Sequence, residues 1–170
     1  YFGDLLNSED GLRGGSSSTR GLWAHSAVSP YTKTIEYVTI STPSNAINFG
    51  DMIGTSSSGA TGGNDTRAIF WEGTVPSTGV NICYATIAST GNAADFGDST
   101  GTTNAQGNAG AVTNTIKAVF AGGYGNDGSS TIINTIDQVT IATTGNAVDF
   151  GDISEGTGGG ANKAGCSDSH

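Results

Sequence analysis

Four aspartates stand in the same short motif, Phe-Gly-Asp, and are the first residues of this chain that could do chemistry. They are Asp4, Asp51, Asp98 and Asp152. A carboxylate can bind a cation or transfer a proton. Catalysis needs one carboxylate in one particular environment, whereas this carboxylate recurs at one position of a repeat. The repetition favours a structural role, and we predict no catalytic residue.

Other possible sites lack the context that their chemistry requires. Residues 123–128 read GYGNDG, but a dinucleotide site needs a helix after such glycines, and a β-prone run follows here. The same segment could surround Ca²⁺ with oxygens, and a plain turn is the favoured interpretation. His25 and His170 have no metal-ligand spacing. Cys83 lies in an apolar run and is interpreted as a small buried hydrophobe rather than as a disulfide partner of Cys166. We predict no metal and no cofactor.

Aromatic side chains could stack on sugar rings or contact a protein partner. Trp23 aligns with Phe70 and Phe120 in the repeat, so we interpret it as a core residue. Three other aromatic residues are not required by the repeat, and we predict them as binding contacts: Tyr31, Trp71 and Tyr124.

Two markers define an internal repeat. The motif phenylalanines are Phe2, Phe49, Phe96 and Phe150, at intervals of 47, 47 and 54 residues. A basic residue begins an apolar run in each repeat, at Arg20, Arg67 and Lys117. We predict that the phenylalanines fill equivalent buried pockets and that the basic residues form a structural pair, for which the motif aspartates are one candidate partner. The predicted organisation is one repeat domain over 1–170, with the end of a preceding repeat at 1–19 and repeats at 20–66, 67–116 and 117–170.

Each repeat predicts four short strands, which we call a, b, c and d, with turns between them. In the third repeat these are KAVFAGG, IINTIDQVTIAT, AVDFGD and a glycine-rich stretch. Strand b is apolar on both sides, so it is covered on both faces. The polar d stretches are predicted to be outer edge strands. The pattern predicts an all-β fold without helix, built of propeller-like blades that do not close a ring within this chain; another β-repeat stack or a fibre is the alternative.

Charge and composition restrict the possible partners. The net charge is −9 with only six basic residues, which leaves no basic stripe for nucleic acid and disfavours anionic membrane surfaces. No apolar run approaches the roughly 20 residues of a membrane helix. The chain begins at Tyr1 without Met, so we expect it to be a piece of something longer or a processed product.

The repeat resembles a known family. Residues 134–152 read NTIDQVTIATTGNAVDFGD, residues 164–170 read AGCSDSH, and residues 118–125 read AVFAGGYG with the glycine pair of a kelch blade. Over about residues 20 to 170 the chain resembles kelch-like repeats of tailed phages of marine bacteria, including cyanophages. The resemblance implies four-stranded blades, a role in a virion structural or tail-fibre-like protein, and no catalytic residues.

The leading hypothesis is therefore a non-enzymatic phage module on the virion exterior, used for attachment or decoration. Its partners would be other virion proteins or copies of itself, with a host surface glycan as a further candidate. The alternatives are an extracellular adhesin or filament subunit, and the carbohydrate-binding part of a kelch-type enzyme. The a-to-b loops vary most, so we predict that they contact the partner, whereas the similar b-to-c turns are interpreted as set by turn geometry alone.

Overall fold

The computed structural model describes residues 1–8, 11–24, 32–55, 59–72, 80–101, 109–123 and 132–154. These ranges contain strands and no helix. None of the described residues therefore forms a helix that is long and apolar enough to cross a membrane. The strands are β1 (Arg13–Ser16), β2 (Arg20–Ala24), β3 (Thr34–Thr39), β4 (Ile47–Asp51), β5 (Ala60–Gly63), β6 (Arg67–Trp71), β7 (Asn81–Thr86), β8 (Ala94–Asp98), β9 (Gly110–Thr113), β10 (Lys117–Ala121), β11 (Thr135–Thr140) and β12 (Val148–Asp152).

The strands form three four-stranded antiparallel sheets, each a simple meander. Their strand orders are β1-β2-β3-β4, β5-β6-β7-β8 and β9-β10-β11-β12. We call them the first, second and third sheets. The predicted all-β fold with four-stranded repeats is confirmed, and predicted strands a, b and c correspond to the second, third and fourth strands of each sheet.

The position predicted for the glycine-rich d stretches is wrong. Each stretch pairs with the strand a that follows it: β1 with β2, β5 with β6 and β9 with β10. Each sheet therefore begins one strand before the predicted repeat boundary. These strands are also where neighbouring sheets approach each other most closely, so they are not outer edges.

Small residues suit the glycine-rich strands because of this close approach. A Cβ atom added to Gly15 would lie 3.1 Å from the Cβ of Ala68, and one added to Gly62 would lie 2.6 Å from Cγ2 of Thr113. Both neighbours belong to the next sheet. The composition that suggested a polar edge therefore reflects tight packing between sheets.

The hydrophobic core consists of two interfaces, with the second sheet between the other two. We call the face of a sheet that looks toward the next sheet its outgoing face, and the opposite one its incoming face. The first interface joins Leu22, Ala24, Ile35, Phe49 and Met52 to Ala68, Phe70, Cys83, Ala85 and Ile87. The second joins Ala60, Ile69, Trp71, Ile82 and Phe96 to Ala109, Ala118, Phe120, Val139, Ile141 and Ala147. Strand b of the second sheet thus supplies apolar groups to both faces, as predicted for this strand, and strand a does the same.

A β-bulge in each of the three sheets turns that sheet's motif phenylalanine onto the outgoing face. In the first sheet Ile35 pairs with Gly50 and Glu36 pairs with Asn48, which leaves Phe49 as the extra residue. The same register shift occurs in the second and third sheets. A bulge redirects a side chain in this way because two residues oppose one on the partner strand. Phe49 then packs edge-on against Tyr37, with ring centroids 5.7 Å apart.

The prediction of four equivalent buried phenylalanines is confirmed for two residues and wrong for two. Phe49 and Phe96 are 3% and 2% exposed, whereas Phe150 is 61% and Phe2 is 42% exposed. Each pocket needs the phenylalanine's own sheet on one side and the next sheet on the other. No described sheet covers Phe150, and no described strand contains Phe2.

Candidate functional site

The Phe-Gly-Asp motif binds the b-to-c turn of the next sheet through its main chain. The Asp51 N–H donates to Oδ1 of Asn92 at 3.1 Å, and the carbonyl of Asp51 accepts from the Ala93 N–H at 2.8 Å. The carbonyl of Phe49 accepts from the Gly91 N–H at 2.8 Å. We call this set of bonds the FGD–turn contact.

The FGD–turn contact recurs along the chain. Between the second and third sheets, Asp98 bonds Asn146 at 3.1 Å and Ala147 at 2.7 Å. Before the first sheet, Asp4 bonds Asn45 at 3.1 Å and Ala46 at 2.8 Å. The b-to-c turns therefore are not set by turn geometry alone. That interpretation is corrected, because Asn92 and Asn146 bond a motif that belongs to the preceding sheet.

Glycine in the motif leaves room for this contact. A Cβ atom added to Gly97 would lie 2.5 Å from the carbonyl carbon and oxygen of Gly145 in the next sheet. The neighbouring atoms are main chain, so no side-chain rotation could relieve the overlap. The motif thus couples a phenylalanine that fills the interface to a glycine that allows the backbones to meet.

The basic residues of strand a contact the next sheet, but not through the motif aspartates. Nη1 of Arg20 donates to the carbonyl of Ile87 at 2.9 Å, and Nη1 of Arg67 donates to the carbonyl of Ile141 at 2.9 Å. Each guanidinium also lies over a tyrosine ring of its own sheet, Tyr37 or Tyr84. The motif aspartates are therefore not the partners of these two arginines. Each guanidinium instead stacks on the tyrosine ring and donates to the carbonyl at once, which its planar shape allows.

Lys117 differs from the two arginines. Its Nζ bonds Oε1 of Gln138 at 2.6 Å within the third sheet. Gln138 occupies the repeat position of Tyr37 and Tyr84. One described motif aspartate does lie near a basic group: Oδ2 of Asp51 is 3.8 Å from Nζ of Lys33, outside strand a. That pair is exposed and contributes little to stability.

A second contact between sheets was missed by the sequence reasoning. The third residue of each strand b contacts the loop that follows the preceding copy of the motif. The partner in that loop is the fourth residue after the motif phenylalanine. The recorded pairs are Glu36 with the Leu6 N–H at 2.7 Å, Cys83 with the Ile53 amide, and Asp137 with the N–H and hydroxyl of Thr100 at 3.2 Å and 2.6 Å. The available signal was a Glu, Cys or Asp at one position of an otherwise apolar strand.

Burial controls the ionisation of two of these residues. Desolvation raises the pKa of the Cys83 thiol, Glu72 raises it further, and the Ile53 amide opposes the shift. The thiol is free and buried, so it is neutral at ordinary pH, as the interpretation of Cys83 as a small buried residue requires. Desolvation also raises the pKa of Asp137, while the two bonds from Thr100 oppose that effect. Cys166, which could be a disulfide partner of Cys83, lies outside the described residues.

Replacing Asp137 by Asn should change how stability depends on pH. The pKa of Asp137 is raised on folding, so the folded state binds the proton more tightly, and this group favours folding increasingly as the pH falls through its folded pKa. The asparagine has no such proton. We therefore expect the unfolding free energy of Asp137→Asn, relative to wild type, to be higher at about pH 7 than at about pH 3. Urea unfolding at both pH values measures it, and a relative stability that falls with rising pH would contradict the assignment.

A buried arginine lies at the first interface. Nη1 of Arg13 donates to the carbonyl of Trp71 at 2.8 Å, and Nη2 lies 3.9 Å from the sulfur of Met52. Burial lowers the pKa of Arg13 to about 10, with Cys83 and then Glu72 opposing the shift, so the guanidinium stays charged at neutral pH. Arg13 has no basic counterpart in β5 or β9, so the repeat contained no signal for it.

The predicted binding contacts are not brought together. Trp71 is fully buried and packs on Phe120, with ring centroids 4.3 Å apart, so it cannot contact a partner at the surface. That prediction is corrected: Trp71 is the last residue of β6 and its ring fills the second interface. Tyr31 and Tyr124 lie outside the described residues. Trp23 is half-buried on the incoming face of the first sheet, over Gly14 and Gly21, and not in either interface.

In the described part of the chain, the repeated residues therefore make contacts between neighbouring sheets. Within the described ranges no group of three or more His, Cys, Asp or Glu side chains could hold a metal ion. No protein-family model matches the chain, and no curated protein matches it. The geometry defines an all-β repeat stack whose recurring polar residues hold one sheet against the next.

Proposed function

We propose that the chain is a non-enzymatic structural module made of kelch-like, propeller-type blades, displayed on a phage virion for attachment or decoration. The observation that carries the non-enzymatic part is the use of the recurring residues. The aspartates, the arginines and the acidic or thiol position of strand b bond groups in neighbouring sheets. The motif thus serves packing between sheets through its main chain, whereas the arginines and the strand b residues do so through their side chains.

The virion assignment is supported by the resemblance of residues 134–152 and 164–170 to repeats of marine tailed phages. An acidic surface with a net charge of −9 keeps such a particle component soluble and does not attract nucleic acid. The alternative, an extracellular adhesin, assumes the same fold, so the two proposals differ in where the protein is found.

Fractionation distinguishes these two locations. In a culture producing the protein, an antibody to the chain should detect it in purified particles that sediment as virions. Recovery with washed host cells before lysis, and not with particles, would overturn the virion proposal in favour of an adhesin.

The partner is proposed to bind the a-to-b loops through Tyr31 and Tyr124, with Trp71 now excluded from the contact. The double variant Tyr31→Ala/Tyr124→Ala should lose attachment to host cells while keeping the wild-type unfolding midpoint. Trp71→Ala should instead lower the free energy of unfolding by about 3 to 5 kcal/mol, because it leaves a cavity in the second interface. Unchanged attachment by the tyrosine variant would exclude this site.

A further inference from the structure

The outgoing face of the third sheet is built like the two faces that are buried, but no described residue covers it. Its positions are Val119, Ala121, Ile136, Gln138 and Phe150. Phe150 is 61% exposed, whereas the equivalent Phe49 and Phe96 are 3% and 2% exposed. A cleft of about 190 Å³ lies beside Lys117 and Gln138. The equivalent region of the first sheet is where Arg20 reaches the carbonyl of Ile87 in the second sheet.

The copy of the motif in the third sheet, which is the fourth along the chain, is not bound by any b-to-c turn among the described residues. A Cβ atom added to Gly151 would meet nothing within 4 Å, whereas one added to Gly50 or Gly97 would overlap the main chain of the next sheet. The phenylalanine, the glycine and the bulge are all repeated at 150–152. The third sheet therefore presents one complete half of the interface that this chain makes twice internally.

The other half of the interface lies on the incoming face of the first sheet. Its strand positions are Gly21, Trp23 and Val38, followed by Ile40 immediately after β3. Ile40 is 46% exposed, whereas its equivalents Ile87 and Ile141 are 1% and 0% exposed in the two interfaces. Residues 1–6 touch this sheet at Asn45 and Glu36.

We propose that these two open faces bind each other between molecules, with the third sheet of one copy packing on the first sheet of a second copy. The contact is head to tail, because it joins different surfaces of the two copies. Phe150 enters beside Val38 of the second copy, and Lys117 reaches the carbonyl of its Ile40, as Arg20 reaches Ile87. The assignment rests on continuity with the two interfaces within the chain and does not depend on the virion proposal.

The intermolecular FGD–turn contact requires an exchange. In the second copy the turn at Asn45 is already bound by its own Asp4. Residues 150–154 of the first copy must therefore replace residues 2–6 of the second. The hydrogen bonds that break and form are of the same kind, so burial of the apolar faces drives the association. The net charge of −9 on each copy opposes it, and added salt should strengthen it by screening.

Sedimentation velocity over a range of concentrations tests the contact with a matched pair of variants. Phe150 and Val148 are both 61% exposed, but Ile47, the equivalent of Val148, stays 54% exposed within the chain. Wild type should form larger species as concentration rises, and Phe150→Ala should weaken this by about tenfold or more in Kd. Val148→Ala should match wild type. Equal weakening by both variants, or no effect of Phe150→Ala, would overturn the proposal.

The exchange has its own variant. A side chain at residue 3 would overlap the main chain of Ser44, so Gly3→Val should expel residues 1–6 from the turn at Asn45. Since that segment competes with residues 150–154, Gly3→Val should strengthen association, in a protein shown to be folded by its unfolding transition. A wild type and a Gly3→Val variant that both remain monomeric at all concentrations and salt levels would refute the contact.

Mixing two blocked variants establishes the direction of the contact. Ile40→Asp blocks only the first sheet and Phe150→Asp only the third, so each alone should be monomeric. When mixed, they should form 1:1 dimers, because the third sheet of Ile40→Asp can still bind the first sheet of Phe150→Asp. These dimers should grow no further, because the two faces that remain are both blocked. Failure of the mixture to dimerise, or dimers formed by Ile40→Asp alone through two third sheets, would exclude a head-to-tail contact.

Discussion

Replacing Phe96 by Ala should lower the free energy of unfolding by about 3 to 5 kcal/mol, the usual cost of emptying a buried aromatic site. Phe96 is 2% exposed, lies in the second interface, and packs edge-on against Tyr84 with ring centroids 5.9 Å apart. The backbone on both sides of this pocket is held by the FGD–turn contact, so the cavity cannot collapse easily. Urea unfolding followed by tryptophan fluorescence measures the change.

The matched control is Phe150→Ala in the same repeat position. Its ring is 61% exposed, so the same substitution should change the free energy of unfolding by no more than about 0.5 kcal/mol. Both variants are compared at a concentration where the protein is monomeric. Equal losses at the two positions would mean that the next sheet does not form the pocket, and the account of the interfaces would be wrong.

Replacing Gly97 by Ala should lower the free energy of unfolding by about 3 kcal/mol or more, at the upper end of the usual cost of overpacking. The new Cβ atom would lie 2.5 Å from main-chain atoms of Gly145, and the second and third sheets would have to separate there. The bond between Asp98 and Asn146 would be lost with this movement.

Gly151→Ala separates this overlap from backbone strain. Gly97 and Gly151 have φ values of +146° and +142°, so alanine is strained by a similar amount at both positions. Only at Gly97 does it also meet the next sheet. The difference in the free energy of unfolding between the two variants measures the overlap alone. Urea unfolding should show Gly97→Ala to be much less stable than Gly151→Ala. Variants of equal stability would show that φ, not the approach of the next turn, requires glycine in the motif.

The fold class was accessible from the sequence because it depends on local pattern. Alternating and two-sided apolar runs such as 34–40 predict strands, and turn residues between them predict a meander. The phase of the repeat was not accessible. A glycine-rich strand has no apolar side to match, so 13–16 could equally follow one sheet or begin the next. Hydrogen bonding of β1 to β2 decides this, and that pairing becomes visible only in three dimensions.

The candidate site was predicted in part. The recurrence of the motif correctly indicated a structural role for Phe49 and Phe96, but not the atoms involved. The sequence suggested side-chain pairs between aspartates and basic residues, whereas the structure uses main-chain groups of Asp51 and Asp98 and carbonyls as partners for the arginines. Main-chain donors and acceptors are the same in every residue, so their partners cannot be recognised from residue type.

By itself, the sequence determined that the chain consists of repeated β units, because period, strand pattern and turn chemistry are all local properties. Only the tertiary structure decided which copies of a repeated residue are equivalent in environment. Phe49 and Phe150 share one motif, yet one is buried and the other exposed. The physical reason is that half of each pocket belongs to the next sheet, so the environment of a residue depends on its neighbour in the stack as well as on its own repeat.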